Sequence, residues 1–192
     1  YTTKISSYLY DVQLLFNKMS LPVVWRDIYK TVEENEDNYD KRYHAWFITK
    51  EYNGKSKDIL SKIMDESNDA SEYTGGAYFG FSMIRIPEMY YIMSEALLAT
   101  GNAEGAMEYL DAVVDARGME KFADRTPLVD ITLSDIMAER RKEFIGEGQW
   151  WFCLKRLNSP VKLSGATGAT IPGSDKIYVL PLPVEEEDYR PE

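Results

Sequence analysis

One stretch, residues 85–156, constrains the fold more than any other part of the chain, because charged and apolar side chains alternate there at helical spacing. Pro87 suits the first turn of a helix, where the N–H that proline lacks would have no helical partner in any case. Apolar residues then follow at steps of three and four positions, at Met89, Ile92, Met93, Ala96 and Leu97. Such spacing predicts a helix with one apolar face.

A second helix is predicted directly after the first. Gly101 is typical of a helix end, and Asn102 is typical of the N-cap of the next helix. A second apolar stripe then runs towards Gly118, through Ala106, Met107, Leu110, Val113 and Val114. Because the connection between them is short, the two helices must be antiparallel neighbours.

This helical hairpin resembles a single tetratricopeptide repeat, in which small residues stand where the two helices touch. Ser94 and Ala106 occupy the small positions. Larger apolar residues surround them, at Leu97, Leu110 and Val113. A lone repeat cannot bury its faces. We therefore expect its packing partners elsewhere in this chain or in a part of the protein beyond it.

Further helices are predicted towards the C-terminus, so the predicted fold class is mainly α, with long irregular loops. Thr132, followed three positions later by Asp135, has the pattern of a capping box and begins a predicted helix over 133–146. A short helix over 150–157 follows. Residues 158–177 are rich in Ser, Gly, Thr and Pro and predict a loop. Prolines at alternate positions in 178–183 predict an extended segment that is not a central strand.

The N-terminal part of the sequence is less regular. Apolar spacing predicts a helix over 5–18 and a second short helix that begins at Pro22, and an acidic loop follows over 33–38. Residues 40–48 fit either a helix or an extended segment. A turn around Asn53-Gly54, an apolar patch over 58–64 and a long loop over 65–80 complete this part.

Composition excludes several classes of protein. The 192 residues suffice for one domain, and we expect residues 1–192 to form a single one. The net charge of -10 argues against nucleic-acid binding, because phosphate contacts need a basic surface. No stretch approaches the roughly 18 apolar residues of a membrane-spanning helix. The single cysteine excludes an internal disulfide.

Several motifs, taken in order, resemble the SusD/RagB family of Bacteroidetes outer-membrane nutrient-binding lipoproteins. An Arg-x-x-Glu-Met-Tyr-x-Ile-x-x-Glu-Ala run occupies 85–96, and a Gly-Asn start opens the helix over 101–111. A Glu-Arg-x-x-Glu-Phe-x-x-Glu-Gly-x-x-Trp-x-x-Leu-x-Arg run occupies 139–156, and Leu-Pro-Leu-Pro occupies 180–183. Asp40 and Arg42 supply an Asp-x-Arg motif before the block, so the resemblance covers about 40–190.

The resemblance implies a function as well as a SusD-like α fold. It implies a surface-exposed outer-membrane lipoprotein that binds a glycan or oligosaccharide and passes it to a TonB-dependent, SusC-like transporter, without enzymatic activity and without a cofactor. The lipid anchor would lie outside this chain. Family members are usually much longer, so the chain resembles their C-terminal portion. Gln149 and Cys153 stand where the family commonly has Arg and Asp, so we expect no ion pair between those positions.

Aromatic residues are the candidates for ligand contact, because an aromatic ring can stack on the apolar face of a sugar. Aromatic residues that flank polar or Gly-rich stretches have the best claim: Trp25, Tyr39, Tyr43, Trp46, Tyr73 and Tyr78. The run Trp150-Trp151-Phe152 fits the packing motif of the family, and we expect it in the core.

Other chemistries find little support in the sequence. Glycoside hydrolysis needs two carboxylates, but Glu139, Glu143 and Glu147 alternate with Lys and Arg at the spacing of ion-paired helix surfaces. His44 is the only histidine, so no metal site is expected from histidines. Cys153 lies in an apolar helix and predicts a buried, inert thiol. An intracellular tetratricopeptide-like scaffold that binds other proteins is the alternative to a glycan-binding protein.

Overall fold

The computed structural model describes residues 28–29, 40–52, 54–60, 62, 84–162 and 169–181, and most of the regular structure in these ranges is helical. The prediction of a mainly α fold is therefore confirmed. The predicted helix over 5–18 and the predicted loops over 33–38 and 65–80 lie outside the described residues. The predicted helix from Pro22 through Trp25 and Tyr29 is described only at residues 28–29, which form a turn. The chain divides into two compact units, Tyr1–Glu147 and Gly148–Glu192. The expectation of a single domain stays a prediction.

The predicted helical hairpin is present. Helix α2 spans Ile86–Ala99 with Pro87 in its first turn, and helix α3 spans Ala103–Ala116. The side chain of Asn102 accepts a hydrogen bond from the N–H of Gly105 at 2.9 Å, which confirms the predicted N-cap. Gly101 has a φ of +85°, in the left-handed region that favours glycine at the end of a helix.

The contact between α2 and α3 is made at the predicted small residues. Ser94 and Ala106 are both fully buried, and Oγ of Ser94 donates a hydrogen bond to the carbonyl oxygen of Ala106 at 2.7 Å. Leu110, Val113 and Val114 are buried around this contact. A larger residue at either small position would force the two helices apart.

Most of the predicted apolar stripe of α2 is exposed in the structure, which is a feature that the spacing could not place. Met89, Ile92 and Met93 are 45%, 47% and 41% exposed, whereas Tyr91 and Ser94 are fully buried. Helix α2 is thus apolar on its outer face as well as against α3, and a helix that is apolar all round is typically covered on all sides.

Helix α4 spans Leu133–Glu143 and begins with the predicted capping box. The N–H of Asp135 donates to Oγ1 of Thr132 at 3.3 Å, and the N–H of Thr132 donates to Oδ2 of Asp135 at 2.8 Å. The helix ends earlier than the predicted 146, because Phe144 already leaves helical geometry. Gly146 follows with a φ of +77°, and a Cβ at this position would lie 2.7 Å from Cδ2 of Leu60.

Residues 40–60 contain a helix and a hairpin. Asp40 caps helix α1, Lys41–Trp46, which leads directly into strand β1, Phe47–Tyr52, so the segment left open by the sequence is helical and then extended. Strand β2, Lys55–Leu60, pairs antiparallel with β1 and places Leu60 opposite Phe47. Only the turn was predicted here, and Gly54 makes it with a φ of +71°. A small core forms from Tyr29, Phe47, Leu60 and Ile145.

The unit Gly148–Glu192 begins with helix α5, Gln149–Arg156, close to its predicted bounds. The predicted loop over 158–177 was wrong in part, because it contains the paired strands β3, Val161–Lys162, and β4, Thr170–Ile171, and most of helix α6, Asp175–Tyr178. Tyr178 is therefore helical rather than extended.

The prediction that the aromatic run of α5 lies in the core was wrong for two of its residues. Trp151 is 45% exposed and Phe152 is 70% exposed, because successive residues of a helix point in different directions and Cys153 occupies the buried side. Cys153 is buried, as predicted. The ring of Trp151 contacts Tyr178, with centroids 5.1 Å apart. Among the described helices, none is long and apolar enough to cross a membrane.

We predict that Leu110→Asp strongly destabilises the unit Tyr1–Glu147, because Leu110 is fully buried on α3 and a carboxylate there would be buried without a cationic partner. The expected loss of unfolding free energy exceeds about 4 kcal/mol, measured by urea titration followed by circular dichroism. Ala112→Asp, on the exposed side of the same helix, is the matched control and should leave the midpoint almost unchanged. If both variants and the wild type unfolded at the same urea concentration, Leu110 would not be a buried core residue of the hairpin.

Candidate functional site

The most unusual feature of the structure is a fully buried carboxylate, Glu143, surrounded by three guanidinium groups. Arg85 Nη2 donates to Oε1 at 2.6 Å, and Arg117 donates to Oε1 at 2.8 Å and to Oε2 at 2.9 Å. Nη1 of Arg42 lies 3.6 Å from Oε2. A buried carboxylate is stable only when it is paired and hydrogen-bonded in this way.

Arg42 is itself buried and links two further carboxylates. Nε and Nη2 of Arg42 donate to the two oxygens of Asp40, each at 2.8 Å, which is the bidentate geometry that guanidinium favours. Nη2 also donates to Oε2 of Glu139 at 2.6 Å. Asp40 has a second task, because its Oδ1 accepts the N–H of Arg42 and so caps α1.

Two lysines complete the cluster at its edges. Nζ of Lys142 donates to Oε1 of Glu139 at 2.6 Å. Nζ of Lys62 lies 2.5 Å from Oε1 of Glu147 and donates to the carbonyl oxygen of Glu143 at 2.6 Å. Nη1 of Arg85 reaches the same Glu147 oxygen at 2.5 Å. We call these nine side chains the ion-pair network: Asp40, Arg42, Lys62, Arg85, Arg117, Glu139, Lys142, Glu143 and Glu147.

The sequence explains how this network forms. Glu139, Glu143 and Glu147 are spaced by four positions at the end of α4, so the first two share one face of the helix. Their cationic partners stand at element ends: Arg85 is the N-cap of α2, and Arg117 is the C-cap of α3. The predicted local pairing is correct only for Lys142 and Glu139 at three residues apart, and the other described partners of these carboxylates come from distant segments.

Electrostatics favour the ionised form of Glu139, one of the network carboxylates. Burial alone would raise the pKa of Glu139, but the positive charges of Arg42 and Lys142 outweigh it and hold the pKa below its usual range. Burial also acts on Lys62 and lowers its pKa, although the contact with Glu147 opposes that shift. The lowered pKa of Glu139 is the reverse of what a general acid needs, since a glycosidase acid requires a raised pKa.

The network therefore joins five segments of the chain, at residues 40–42, Lys62, Arg85, Arg117 and residues 139–147, and does not form an acid–base pair. Each of its carboxylates has a cationic partner at 2.6 Å or less or a bidentate guanidinium. Among the described residues, no group of three or more His, Cys, Asp or Glu side chains could hold a metal ion.

Of the six predicted ligand-contact residues, Trp25, Tyr39, Tyr73 and Tyr78 lie outside the described residues. Tyr43 and Trp46 are described, and α1 brings both against the small core of Tyr29, Phe47, Leu60 and Ile145. Tyr43 is half-buried, its hydroxyl donates to Oδ2 of Asp58 at 2.9 Å, and its ring stacks on Phe47 with centroids 5.5 Å apart.

Trp46 is also half-buried and has a cation against its ring. Nζ of Lys62 lies 3.9 Å from the centre of the Trp46 ring. Lys62 also belongs to the ion-pair network, so the network touches a residue predicted to contact ligand. This contact could not be predicted from the sequence, because sixteen positions and a hairpin separate Trp46 from Lys62 in the chain.

Two further polar residues in the core were not anticipated. Asp111 is buried on α3, where its carboxylate accepts the backbone N–H groups of Phe122 at 2.6 Å and Ala123 at 3.1 Å. It therefore orders the connector after the hairpin. Arg140 is buried beside Glu88, which it contacts at 2.8 Å, and so joins α4 to the first turn of α2.

The comparisons with known proteins agree with the motifs. The model of the SusD family matches residues 59–171, which is more than half of the chain, so the resemblance drawn from the sequence is confirmed. The matched range contains the α2–α3 hairpin and α4, whereas Asp40, Arg42 and residues 180–183 lie outside it. Comparisons with curated proteins and with solved structures gave no match.

We predict that Glu143→Gln lowers the free energy of unfolding by about 3–5 kcal/mol, because it leaves three guanidinium groups facing a neutral, buried amide. Glu108→Gln makes the same chemical change at an exposed position of α3 and should cost less than about 0.5 kcal/mol. Urea titrations of both variants at neutral pH provide the measurement. A loss for Glu143→Gln no larger than that of the control would show that the network contributes no net stability.

Acid should weaken the network in a defined direction. A carboxyl group with a lowered folded pKa stabilises the folded state above its unfolded pKa, about 4.3 for Glu, and this contribution disappears as the pH falls towards the folded value. We therefore predict that Glu139→Gln is less stable than the wild type at pH 7. The difference in unfolding free energy between the two proteins should narrow as the pH falls below about 4.3, the unfolded pKa of Glu. A difference independent of pH would contradict the lowered pKa.

Proposed function

This chain belongs to the SusD family, and from that membership we propose that it binds a glycan or oligosaccharide at the surface of the outer membrane. Proteins of this family are, in general, nutrient-binding proteins of the outer membrane and not enzymes. The proposed action is capture of an oligosaccharide by aromatic stacking and hydrogen bonding, with no bond broken. The single observation that supports it most is the family match over the hairpin and α4.

The proposal includes a place in the membrane and a partner. The protein acts as a surface-exposed lipoprotein and hands its ligand to a TonB-dependent, SusC-like transporter, which it caps. Residues 1–192 form one domain, the C-terminal portion of a longer protein whose lipid anchor lies outside this chain. The acidic net charge of -10 suits a protein that takes neutral oligosaccharides rather than anionic polymers.

The described aromatic residues support capture at α1. Trp46 is the last residue of α1 and is half-buried, so part of its ring is accessible while the rest is held. Tyr43, one turn earlier, is also half-buried, and its hydroxyl donates to the carboxylate of Asp58. Trp25, Tyr39, Tyr73 and Tyr78 remain candidates for the same ligand.

The paired carboxylates support a role without catalysis. Hydrolysis of a glycosidic bond needs one carboxyl group that is protonated at neutral pH and a second that is free to act on the sugar or on a water. Glu139 has a lowered pKa, and Glu143 is fully buried between guanidinium groups. Neither is suited to donate a proton to a substrate.

One observation favours a second candidate, a helical scaffold that binds other proteins. The outer face of α2 is apolar and exposed at Met89, Ile92 and Met93, and tetratricopeptide-like helices bind partners through such faces. The gene sequence upstream of Tyr1 separates the two candidates. A lipobox cysteine supports the outer-membrane protein, and its absence from the complete gene favours the scaffold.

We predict that the full-length protein binds oligosaccharides on an array of α- and β-linked gluco-, manno- and xylo-oligosaccharides, and that Trp46→Ala weakens binding about 3- to 10-fold, since aromatic contacts are worth about 0.5–1.5 kcal/mol. Trp151→Ala removes an exposed tryptophan of α5 and is the matched control, with unchanged affinity expected. Calorimetry with the strongest array ligand measures both variants.

Three results of that experiment would count against the proposal in different ways. No binding to any oligosaccharide would contradict the proposed function. Binding that Trp46→Ala leaves unchanged would remove Trp46 from the site and direct attention to the other aromatic candidates. Equal losses in both tryptophan variants would indicate a general loss of structure rather than a lost contact.

A further inference from the structure

Lys62 contacts Trp46 twice. Its backbone N–H donates a hydrogen bond to the carbonyl oxygen of Trp46 at 3.3 Å, and its ammonium group lies 3.9 Å from the centre of the indole ring. Lys62 therefore contacts both the backbone and the indole side chain of Trp46, the last residue of α1.

The ammonium group of Lys62 is itself fixed. It donates to the carbonyl oxygen of Glu143 at 2.6 Å and to that of Ile145 at 3.5 Å, and it lies 2.5 Å from Oε1 of Glu147. An ammonium has three donors, so these three acceptors, at the last residue of α4 and in the four residues that follow it, account for them. The Lys62 side chain is only 11% exposed, unlike a surface lysine that samples many rotamers.

The position of the Lys62 ammonium group limits which part of the Trp46 indole a ligand can contact. A cation over an aromatic face is worth about 0.5–2 kcal/mol, with the larger values at desolvated sites. Since Lys62 covers one face of Trp46 and the ring also packs against the small core, only the remaining accessible part of the ring is open to a ligand. A ring that is already ordered loses less entropy when a ligand stacks on it.

We propose that Lys62 is a positioning residue for ligand capture, which fixes the indole of Trp46 by connecting it to the end of α4. This inference rests on the proposed function, because it assumes that Trp46 contacts the oligosaccharide. It adds a residue that does not touch the ligand and that the motifs of the sequence do not single out. It also gives the ion-pair network a role in binding, through one side chain.

The test compares Lys62→Met with Lys142→Met in the full-length protein. Both changes remove the ammonium group of a largely buried lysine of the network, with side chains 11% and 15% exposed, but only Lys62 touches Trp46. We expect Lys62→Met to weaken binding of the strongest array oligosaccharide about 3- to 10-fold, the effect of partly disordering the ring, and Lys142→Met to leave affinity unchanged. Lys62→Arg, which keeps a cation over the ring, should restore most of the affinity.

A second measurement reports on the ring without any ligand. In a full-length background in which Trp25, Trp150, Trp151 and any tryptophan outside residues 1–192 are replaced by Phe, tryptophan fluorescence comes from Trp46 alone. We expect Lys62→Met to make this fluorescence more accessible to acrylamide quenching, while Lys142→Met does not. If Lys62→Met acted only by lowering stability, Lys142→Met would increase the quenching of Trp46 fluorescence to the same extent.

The outcomes separate the inference from the proposed function. If Trp46→Ala weakens binding while Lys62→Met changes neither affinity nor quenching, the positioning role is overturned and the function stands. If both lysine variants weaken binding equally, the network acts only through stability and the positioning role is again overturned. If the wild type binds an oligosaccharide and Trp46→Ala binds it equally well, Trp46 does not contact the ligand and the positioning role of Lys62 is overturned. If the wild type binds no oligosaccharide, both the proposed function and this inference fail.

Discussion

The structure of the unit Tyr1–Glu147 depends on one buried carboxylate. Glu143 has no exposed surface, and its charge is balanced by Arg42, Arg85 and Arg117, which belong to three separate segments of the chain. Removing such a charge from water costs several kcal/mol, and only the full set of partners offsets that cost. The carboxylate therefore favours the one arrangement in which the start of α1, the start of α2 and the end of α3 meet the end of α4. The backbone reinforces this arrangement, because the N–H of Lys41 donates to the carbonyl oxygen of Arg117 at 2.9 Å.

Local features of the sequence predicted the parts of the fold that are local in origin. The capping box of α4, the N-cap of α3 and the small-residue contact at Ser94 depend on neighbouring residues or on a short hairpin, and all three were predicted correctly. Periodicity could not say which side of α2 is buried, because both sides are apolar. It also missed strands β1 and β2, because their pairing depends on burial of Phe47 opposite Leu60, which no short pattern records.

The candidate site was less predictable for the same reason. The acidic residues of α4 were visible in the sequence, but most of their described partners are 50 or more positions away, as Arg42 is from Glu139 and Arg85 is from Glu143. The contact of Lys62 with Trp46 arises only because the β1–β2 hairpin returns the chain to the end of α1. The sequence therefore had no means of ranking the six aromatic candidates by their three-dimensional surroundings. Trp151, assigned to the core, is exposed because it lies two positions before the buried Cys153 and therefore on the opposite side of α5.

The central claim is that the ion-pair network makes distant segments one cooperative unit, and native-state hydrogen exchange in rising denaturant tests it most directly. The amide groups to compare are those of Tyr43 and Arg117, which are hydrogen-bonded at the ends joined by the network, and that of Ile136 in the buried part of α4. The network predicts that all three exchange with the same free energy of opening and the same dependence on denaturant. Opening of Tyr43 at a free energy several kcal/mol below that of Ile136 would show that α1 opens independently, which would contradict the claim.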